Sequence, residues 1–413
     1  VITETTDVLV IGAGPAGLTA AAELSIGGTE AVLVLEREKQ AGGIPRHSDH
    51  LGYGIRDLHR FLRGPEYAAR LVEVAGRSGA MIRTQAMVTG WDEEGAAEVT
   101  SPEGRYRVKA KATILATGAR ERPRSARLIP GDRPPGIYTT GQIQNLVHLQ
   151  NRQPGSRAVV VGAELVSWSA VMTLRHAGCR TVLMTTEHPT PESYAVFNRL
   201  GRLAYRVPVA TSTRVVGIAG RGSLRHVEIE DKRTGARRTV DCDTIVFTGS
   251  WIPDHELARA MELQMDPGTL GPTVDGALRT SRPGVFAVGN LVHPVDTADV
   301  AALDGKHVAR HVRSYLDGQA LEPIGATIEP RPPFRWVAPN RLTPARSRPA
   351  RDRLLLWSDE MVRQPRVSVR QDDREIGAAR VPWPASPGRV FRIPASLLDR
   401  ADPLGGPISI GIG

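Results

Sequence analysis

Six residues, Gly12-Ala13-Gly14-Pro15-Ala16-Gly17, carry the clearest chemical signal in the chain. They form a G-x-G-x-x-G turn after the apolar run Asp7-Val8-Leu9-Val10-Ile11 and before an alanine-rich stretch reaching Leu24. Each glycine has a reason. Gly12 makes the tight turn, Gly14 lets backbone approach a pyrophosphate, and Gly17 permits close packing of helix on sheet. A helix starting here offers free N–H groups and the positive end of its dipole to phosphate oxygens. Glu36 ends a second apolar run, Ala31-Val32-Leu33-Val34-Leu35, where a carboxylate can bind ribose hydroxyls. Strand, turn, helix and acid in this order predict a dinucleotide site, with NAD and FAD both open on these residues alone.

A second group of reactive side chains follows at once: Arg46, His47, Asp49, His50 and Tyr53. An arginine suits a carboxylate through a bidentate pair, and a histidine titrates near neutrality and can take a proton. His293 is a further histidine of this kind. The spacing of His47 and His50 invites a metal, but no cysteine or other histidine stands at ligand spacing nearby, so none is expected. Cys179 and Cys242 are the only cysteines, each isolated. Neither a disulfide framework nor a C-x-x-C dithiol is expected, and packing is the expected role of both.

The elements that must position these groups can be read from apolar runs. The first strand, the helix after the glycines and the second strand make a βαβ unit with a right-handed crossover. The pattern returns at Ala158-Val159-Val160-Val161, a helical segment through Leu174, and Thr181-Val182-Leu183-Met184. The expected class is therefore α/β, with two Rossmann-like, doubly wound domains, the second inserted in the first. Residues 1–120 and 249–318 form the first domain and 121–248 the insertion. After proline-rich linkers, 330–413 reads as a small β-rich domain. There Val367 and Val369, then Arg380 and Val381, flank an Asp372-Asp373 turn, and 407–412 alternates apolar with small residues. This region holds no histidine and is expected to shape the assembly rather than the chemistry.

The second glycine turn is damaged. Gly162-Ala163-Glu164-Leu165-Val166-Ser167 places a side chain where backbone should meet pyrophosphate, and a carboxylate repels phosphate at close range. The inserted domain is expected to keep its fold without binding NAD(P).

Bulk properties narrow the classes. A chain of 413 residues predicts two or three domains, and 41% hydrophobic content is enough to bury a sizeable core. The net charge of +9 does not point to nucleic acid. Its arginines are scattered, lysine occurs only as Lys39, Lys109, Lys111, Lys232 and Lys306, and no RNA motif or zinc-finger spacing accompanies them. The absence of a long apolar run argues against a membrane span. No signal-peptide pattern is visible, and with isolated cysteines a cytoplasmic setting is expected.

Two further segments decide between the dinucleotides by resemblance. Ala112-Thr113-Ile114-Leu115-Ala116-Thr117-Gly118-Ala119 resembles the strand ending in Ala-Thr-Gly of the FAD-dependent pyridine nucleotide–disulfide oxidoreductase superfamily, the thioredoxin-reductase-like group. Thr280-Ser281-Arg282-Pro283-Gly284-Val285-Phe286-Ala287-Val288-Gly289-Asn290 is similar to that family's T-x-x-P-G-V-F-A-x-G-D. The resemblance implies FAD. It places Gly289 and Asn290 at the ribityl chain and pyrophosphate, and Thr117 and Gly118 where the chain leaves the FAD domain. Glu36 and Arg37 fall at the adenosine, Gly42, Gly43 and Arg46 in a loop running to the flavin. Thr297 and Ala298 open a helix whose N-terminus faces the flavin pyrimidine ring. Asn290 replaces the usual aspartate, and its carbonyl oxygen can still accept a ribityl hydroxyl.

The segments 42–47 and 289–293 resemble a smaller group that includes hydrogen cyanide synthase, opine oxidase, hydroxyproline dehydrogenase and glycerol-3-phosphate dehydrogenase subunits. This implies an FAD-dependent oxidoreductase acting on a small amine, amino acid or hydroxy acid by hydride transfer to flavin. Electrons would pass to oxygen or a partner rather than NAD(P). His47, His50 and His293 are then the candidate proton acceptors, and Arg46 and Tyr53 the candidate substrate contacts. The alternative is an FAD-containing electron-transfer or scaffold subunit of a heteromeric dehydrogenase. A homo-oligomer and a partner subunit both stay open.

Overall fold

The computed structural model describes residues 2–319 and 325–413. The chain begins with β1 (Ile2–Ile11), α1 (Pro15–Ile26), β2 (Val32–Leu35), α2 (Gly64–Arg77), β3 (Met81–Arg83), β4 (Met87–Trp91), β5 (Ala97–Ser101) and β6 (Gly104–Leu115). It continues through β7 (Ile137–Thr139), α3 (Thr140–Gln144), β8 (Arg157–Val161), α4 (Leu165–His176), β9 (Arg180–Thr185), α5 (Ala195–Tyr205) and β10 (Val209–Ala210). Then come β11 (Thr213–Ala219), β12 (His226–Asp231), β13 (Arg237–Asp241), β14 (Thr244–Phe247), β15 (Val285–Ala287) and the long helix α6 (Ala298–Leu316). Two compact units result, one of Val1–Arg46, Gly52–Ala119 and Pro253–Gly413, the other of His47–Leu51 and Arg120–Ile252.

In the first unit the sheet order is β3-β2-β1-β6-β5-β4, with β15 beside β6. Strands β3, β2, β1, β6 and β15 run parallel, and β5 and β4 continue the sheet antiparallel. Val8, Leu9 and Val10 are at most 1% exposed, as expected of a parallel strand covered on both faces. β1 starts earlier than its apolar run because its polar front half pairs with Tyr106–Ala110 of β6. α1 is buried nearly all round and packs on α6 backbone to backbone, since a side chain at Gly305 would collide with the Ala16 carbonyl. That contact fixes the two helices against each other.

The second unit holds a parallel sheet of order β7-β14-β8-β9-β10 and a separate antiparallel sheet, β11-β12-β13. Both βαβ units expected from the sequence are present, so the doubly wound pattern is used twice.

The C-terminal strands are β16 (Ala326–Pro330), β17 (Phe334–Ala338), β18 (Arg341–Leu342), β19 (Arg353–Ser358), β20 (Arg366–Gln371), β21 (Arg374–Arg380), β22 (Phe391–Pro394) and β23 (Ile408–Ile412). They form one sheet of order β18-β16-β23-β20-β21 and another of order β17-β19-β22. Asp372 and Asp373, at φ +48° and +60°, make the two-residue turn between β20 and β21. Ile328, Val367, Val369, Ile393, Ile408 and Ile410 anchor a core of their own. This region still belongs to the first unit, where Asn340 Oδ1 accepts the Val274 N–H at 2.9 Å. Among the described residues no helix is long and apolar enough to cross a membrane.

Candidate cofactor and redox site

The glycines of the first turn do three different jobs. Gly12 takes φ +106°, and a Cβ there would sit 2.5 Å from the Ala116 carbonyl oxygen. A Cβ on Gly17 would collide with the Gly12 carbonyl, so helix and turn touch directly. Gly14 is the N-cap of α1 in an extended conformation, and a Cβ on it would meet nothing within 4 Å. Open space therefore lies before a helix N-terminus that no side chain caps, as an anion site requires. Glu36 is buried, and its Oε2 accepts the Ala13 N–H at 2.9 Å while Oε1 accepts the Glu38 N–H at 2.9 Å. It pins the turn, a role that its place in the sequence does not reveal, and each oxygen keeps acceptor capacity for a ribose hydroxyl.

The other cofactor motifs converge on this turn. The Gly42 N–H donates to the Ala13 carbonyl at 2.8 Å. Gly43, at φ +63°, lies so close that a Cβ would stand 2.8 Å from Gly14 Cα. Gly289 sits between the helices, where a Cβ would be 3.0 Å from that of Ala16 on α1 and 3.3 Å from that of Ala301 on α6. Thr117 Oγ1 donates to the Asp254 carbonyl at 2.7 Å, and the Gly118 carbonyl accepts the Asp254 N–H at 2.9 Å. Arg37 lies 3.4 Å from the Asp254 carboxylate.

Asn290 Nδ2 donates to the Asp296 carbonyl at 3.1 Å, while its Oδ1 is buried without a hydrogen-bond partner among the described residues. Thr297 is the N-cap of α6 and Ala298 its first residue. Asp299 in that first turn is 3% exposed and is held by the Arg56 N–H at 3.1 Å and Nη1 at 3.0 Å. Space at Gly14, an uncapped helix and an orphaned acceptor at Asn290 fit a dinucleotide carrying a ribityl chain.

The loop after Gly43 divides between the two units. Arg46, in the first, gives Nη1 to the Gln40 carbonyl at 2.7 Å and lies 3.7 Å from Glu38, so its fork is engaged by its own loop. Tyr53 stacks 5.8 Å from the ring of Tyr67, whose hydroxyl donates to Asp57 at 2.5 Å. Residues His47–Leu51 belong to the second unit. His47 is 7% exposed, while His50 is half-buried. His50 Nδ1 lies 2.9 Å from the Leu51 carbonyl, which can only accept, so Nδ1 carries the hydrogen. Its Nε2 then accepts from the Ser48 hydroxyl at 3.1 Å. Gln144 Nε2 donates to Ser48 at 3.1 Å and to Ser169 at 2.7 Å. Neither Ser48 nor Gln144 stands out in the sequence. The one signal for Ser48 is its place two residues before His50, whereas Gln144 has no local signal.

His293, in the first unit, is 2% exposed and hydrogen-bonds Asp304 of α6, which also pairs with Arg351 at 2.9 Å. Burial alone would raise the Asp304 carboxyl, but His293 and Arg351 outweigh it and hold it down at about 2. The cavity beside them is lined also by Val274, Leu278, Pro339 and Arg353. Asp304 thus ties His293 and α6 to Arg351, which lies just before β19.

The second glycine turn is filled from within. Glu164 is the N-cap of α4, its N–H donates to Ser167 Oγ at 3.0 Å, and Ser167 Oγ meets Thr248 Oγ1 at 2.7 Å. The Glu164 carboxyl lies against Gly249, where a Cβ would collide with it. Arg127 gives its donors to the carbonyls of Arg122, Thr248 and Gly249 at 2.8–2.9 Å. Burial, then the nearby carboxyls of Glu192 and Glu121, push Glu164 up to about 8. Because the folded value is raised, its favourable contribution is fully present below about 4.5 and is lost as pH rises through about 8. Glu164→Gln is therefore expected to melt like the unmodified chain in acid and at a higher temperature above pH 8, as thermal melts across that range would read.

Cys179 and Cys242 are both buried and free, and burial pushes each thiol up to about 12. Neither is a poised thiolate for disulfide exchange.

Comparison with known proteins matches this geometry. One subunit of the opine oxidase of Rhizobium meliloti is 25% identical over 356 residues, covering 78% of this chain and 65% of that protein. The alpha subunit of the sarcosine oxidase of a Corynebacterium species is 29% identical over 265 residues, covering 60% of this chain and 26% of that protein. This chain thus spans less than two thirds of either. The crystal structure of T. acidophilum thioredoxin reductase superposes with a TM-score of 0.63 at 21% identity, covering 77% of this chain and all of that one, and so shows the shared fold. Residues 6–305 match the family described as pyridine nucleotide-disulphide oxidoreductase. The chain belongs to that family, and FAD is its cofactor.

Proposed function

We propose that this chain oxidises a small amine, amino acid or hydroxy acid at its FAD, with electrons leaving to oxygen or a partner rather than arriving from NAD(P)H. One observation carries the reading: the carboxyl of Glu164 and the hydroxyl of Ser167 fill the second nucleotide turn, so the usual reductant of this fold has no place to bind. The names of two relatives, subunits of an opine oxidase and of a sarcosine oxidase, support oxidation of an amine among the three substrate types.

Bound FAD supplies the acceptor for a hydride from the substrate carbon beside the heteroatom. The chain's own residues do the rest. The N-terminus of α1 and the Gly14 backbone would hold the pyrophosphate, and Asn290 Oδ1 would take a ribityl hydroxyl. The dipole at the N-terminus of α6 would favour negative charge on a ring placed there. The proton on the substrate heteroatom would go to His47 or His50, the candidate acceptors, and Ser48, itself held by Gln144, fixes the His50 ring through a hydrogen bond of 3.1 Å. Arg46 fastens the loop that carries them.

Anaerobic bleaching of the flavin by sarcosine, an opine and a small hydroxy acid tests this reading. His50→Asn should slow reduction by ~100-fold while FAD stays bound, the usual weight of a positioned proton acceptor. His47→Asn and His50→Asn that both reduce at the unmodified rate would remove this loop from the chemistry.

A second reading, a flavin-bearing member of a heteromeric assembly, is favoured by α5. Val196, Phe197, Leu200 and Leu203 are exposed in one stripe along it, while the polar and small Asn198 and Gly201 face inward on Trp168. Such an inverted helix exposes an apolar face of the kind that binds a partner.

A further inference from the structure

The C-terminal strands reach the cofactor segment through one arginine. Arg392, on β22, places Nη2 2.6 Å and 2.8 Å from the two oxygens of Asp296. The Asp296 side chain is 2% exposed, so this is a desolvated ion pair rather than a surface contact. The same carboxylate accepts the N–H of Thr297, the N-cap of α6, at 2.9 Å. The Asp296 backbone carbonyl accepts Asn290 Nδ2 at 3.1 Å.

That last bond decides which way the Asn290 amide points. A carbonyl can only accept, so the NH₂ group must lie at Asp296 and Oδ1 must turn to the other side. There Oδ1 is buried and unmatched among the described residues. An unmatched buried acceptor is unfavourable unless a donor arrives. A hydroxyl of the bound FAD is such a donor.

We propose that Arg392 is a positioning residue of the cofactor site: by holding Asp296, it fixes the 290–297 segment so that Asn290 presents Oδ1 to a hydroxyl of FAD. The inference rests on the FAD placement above. It makes the C-terminal β domain a working part of the cofactor site, against the expectation that it only shapes the assembly. The two buried carboxylates at the start of α6 are each neutralised by an arginine, Asp299 by Arg56 and Asp296 by Arg392. Removing Arg392 leaves a buried negative charge beside that helix N-terminus. It therefore disfavours added negative charge on the flavin as well as loosening the segment.

The test measures FAD affinity of the full chain by fluorescence titration of the apoprotein, together with the flavin midpoint potential. Arg392→Met should weaken FAD by roughly 10–100-fold, the scale on which outer-shell partners act on a bound group, and shift the potential to more negative values. Arg392→Lys should recover most of both. Arg341→Met, which breaks another contact between the C-terminal strands and the rest of the unit, at Gln264, should keep the unmodified affinity and potential. If Arg392→Met folds poorly, Asp296→Asn serves in its place and should lose a similar factor. The double variant should then lose little more, because the pair acts as one. Unchanged affinity in Arg392→Met or Asp296→Asn would overturn the proposal, as would an equal loss in Arg341→Met. An unmodified chain that takes up no FAD would instead overturn the cofactor placement itself.

Discussion

Gly14→Val is expected to give a folded protein that no longer holds FAD. The backbone at Gly14 has φ −84° and ψ −176°, which any residue adopts, and a Cβ there meets no protein atom within 4 Å. The added Cβ itself therefore meets no protein atom. Its methyl groups instead occupy the space before the α1 N-terminus, where the pyrophosphate oxygens must reach N–H groups. A drop in affinity of at least ~100-fold is expected, about 2.7 kcal/mol. FAD retained after gel filtration and the melting temperature of the apoprotein check this together. Gly17→Val is the contrasting variant. Its side chain would collide with the Gly12 carbonyl, so stability itself should fall. Full FAD occupancy in folded Gly14→Val would show that the pyrophosphate lies elsewhere.

The glycine turn was legible because its demands are backbone requirements. A side chain at Gly12, Gly17, Gly43 or Gly289 would crowd neighbouring protein atoms, and such needs show up as glycine at fixed spacing. The Asp372-Asp373 turn and the strands around it were legible for the same reason, as local backbone chemistry. What stayed hidden is long-range and carried by side chains. Gln144 reaches Ser48 across 96 positions, and Arg392 reaches Asp296 across 96 as well. No periodicity or local motif encodes such pairs. His293 shows the same limit: its place next to the Gly-Asn pair is plain in the sequence, while its hydrogen bond to Asp304 on α6 has no local signal. The density of Arg, His and Asp after Gly43 is plain in the sequence, but not that the loop divides between the two units.

NADH and NADPH are expected to leave the bound flavin oxidised. The turn after β8 keeps its first glycine, Gly162, but Glu164 and Ser167 stand at the next two glycine positions and bond into the space a pyrophosphate would need. Arg127, a cation that acts on Glu164, already donates to three carbonyls. Below pH 8 the protonated Glu164 carboxyl still fills the turn. Above it the carboxylate adds repulsion of about 4 kcal/mol per phosphate charge at roughly 4 Å and an effective dielectric of about 20, close to a thousandfold in affinity.

The decisive measurement is anaerobic mixing of the purified, FAD-loaded chain with one equivalent of NADH or NADPH, followed by dithionite to show that the flavin can be reduced. Unchanged flavin absorbance is expected after either nucleotide, with full bleaching only by dithionite. Rapid, stoichiometric bleaching by NADH or NADPH would overturn the proposed direct oxidation of substrate, because the nucleotide would then be supplying the electrons.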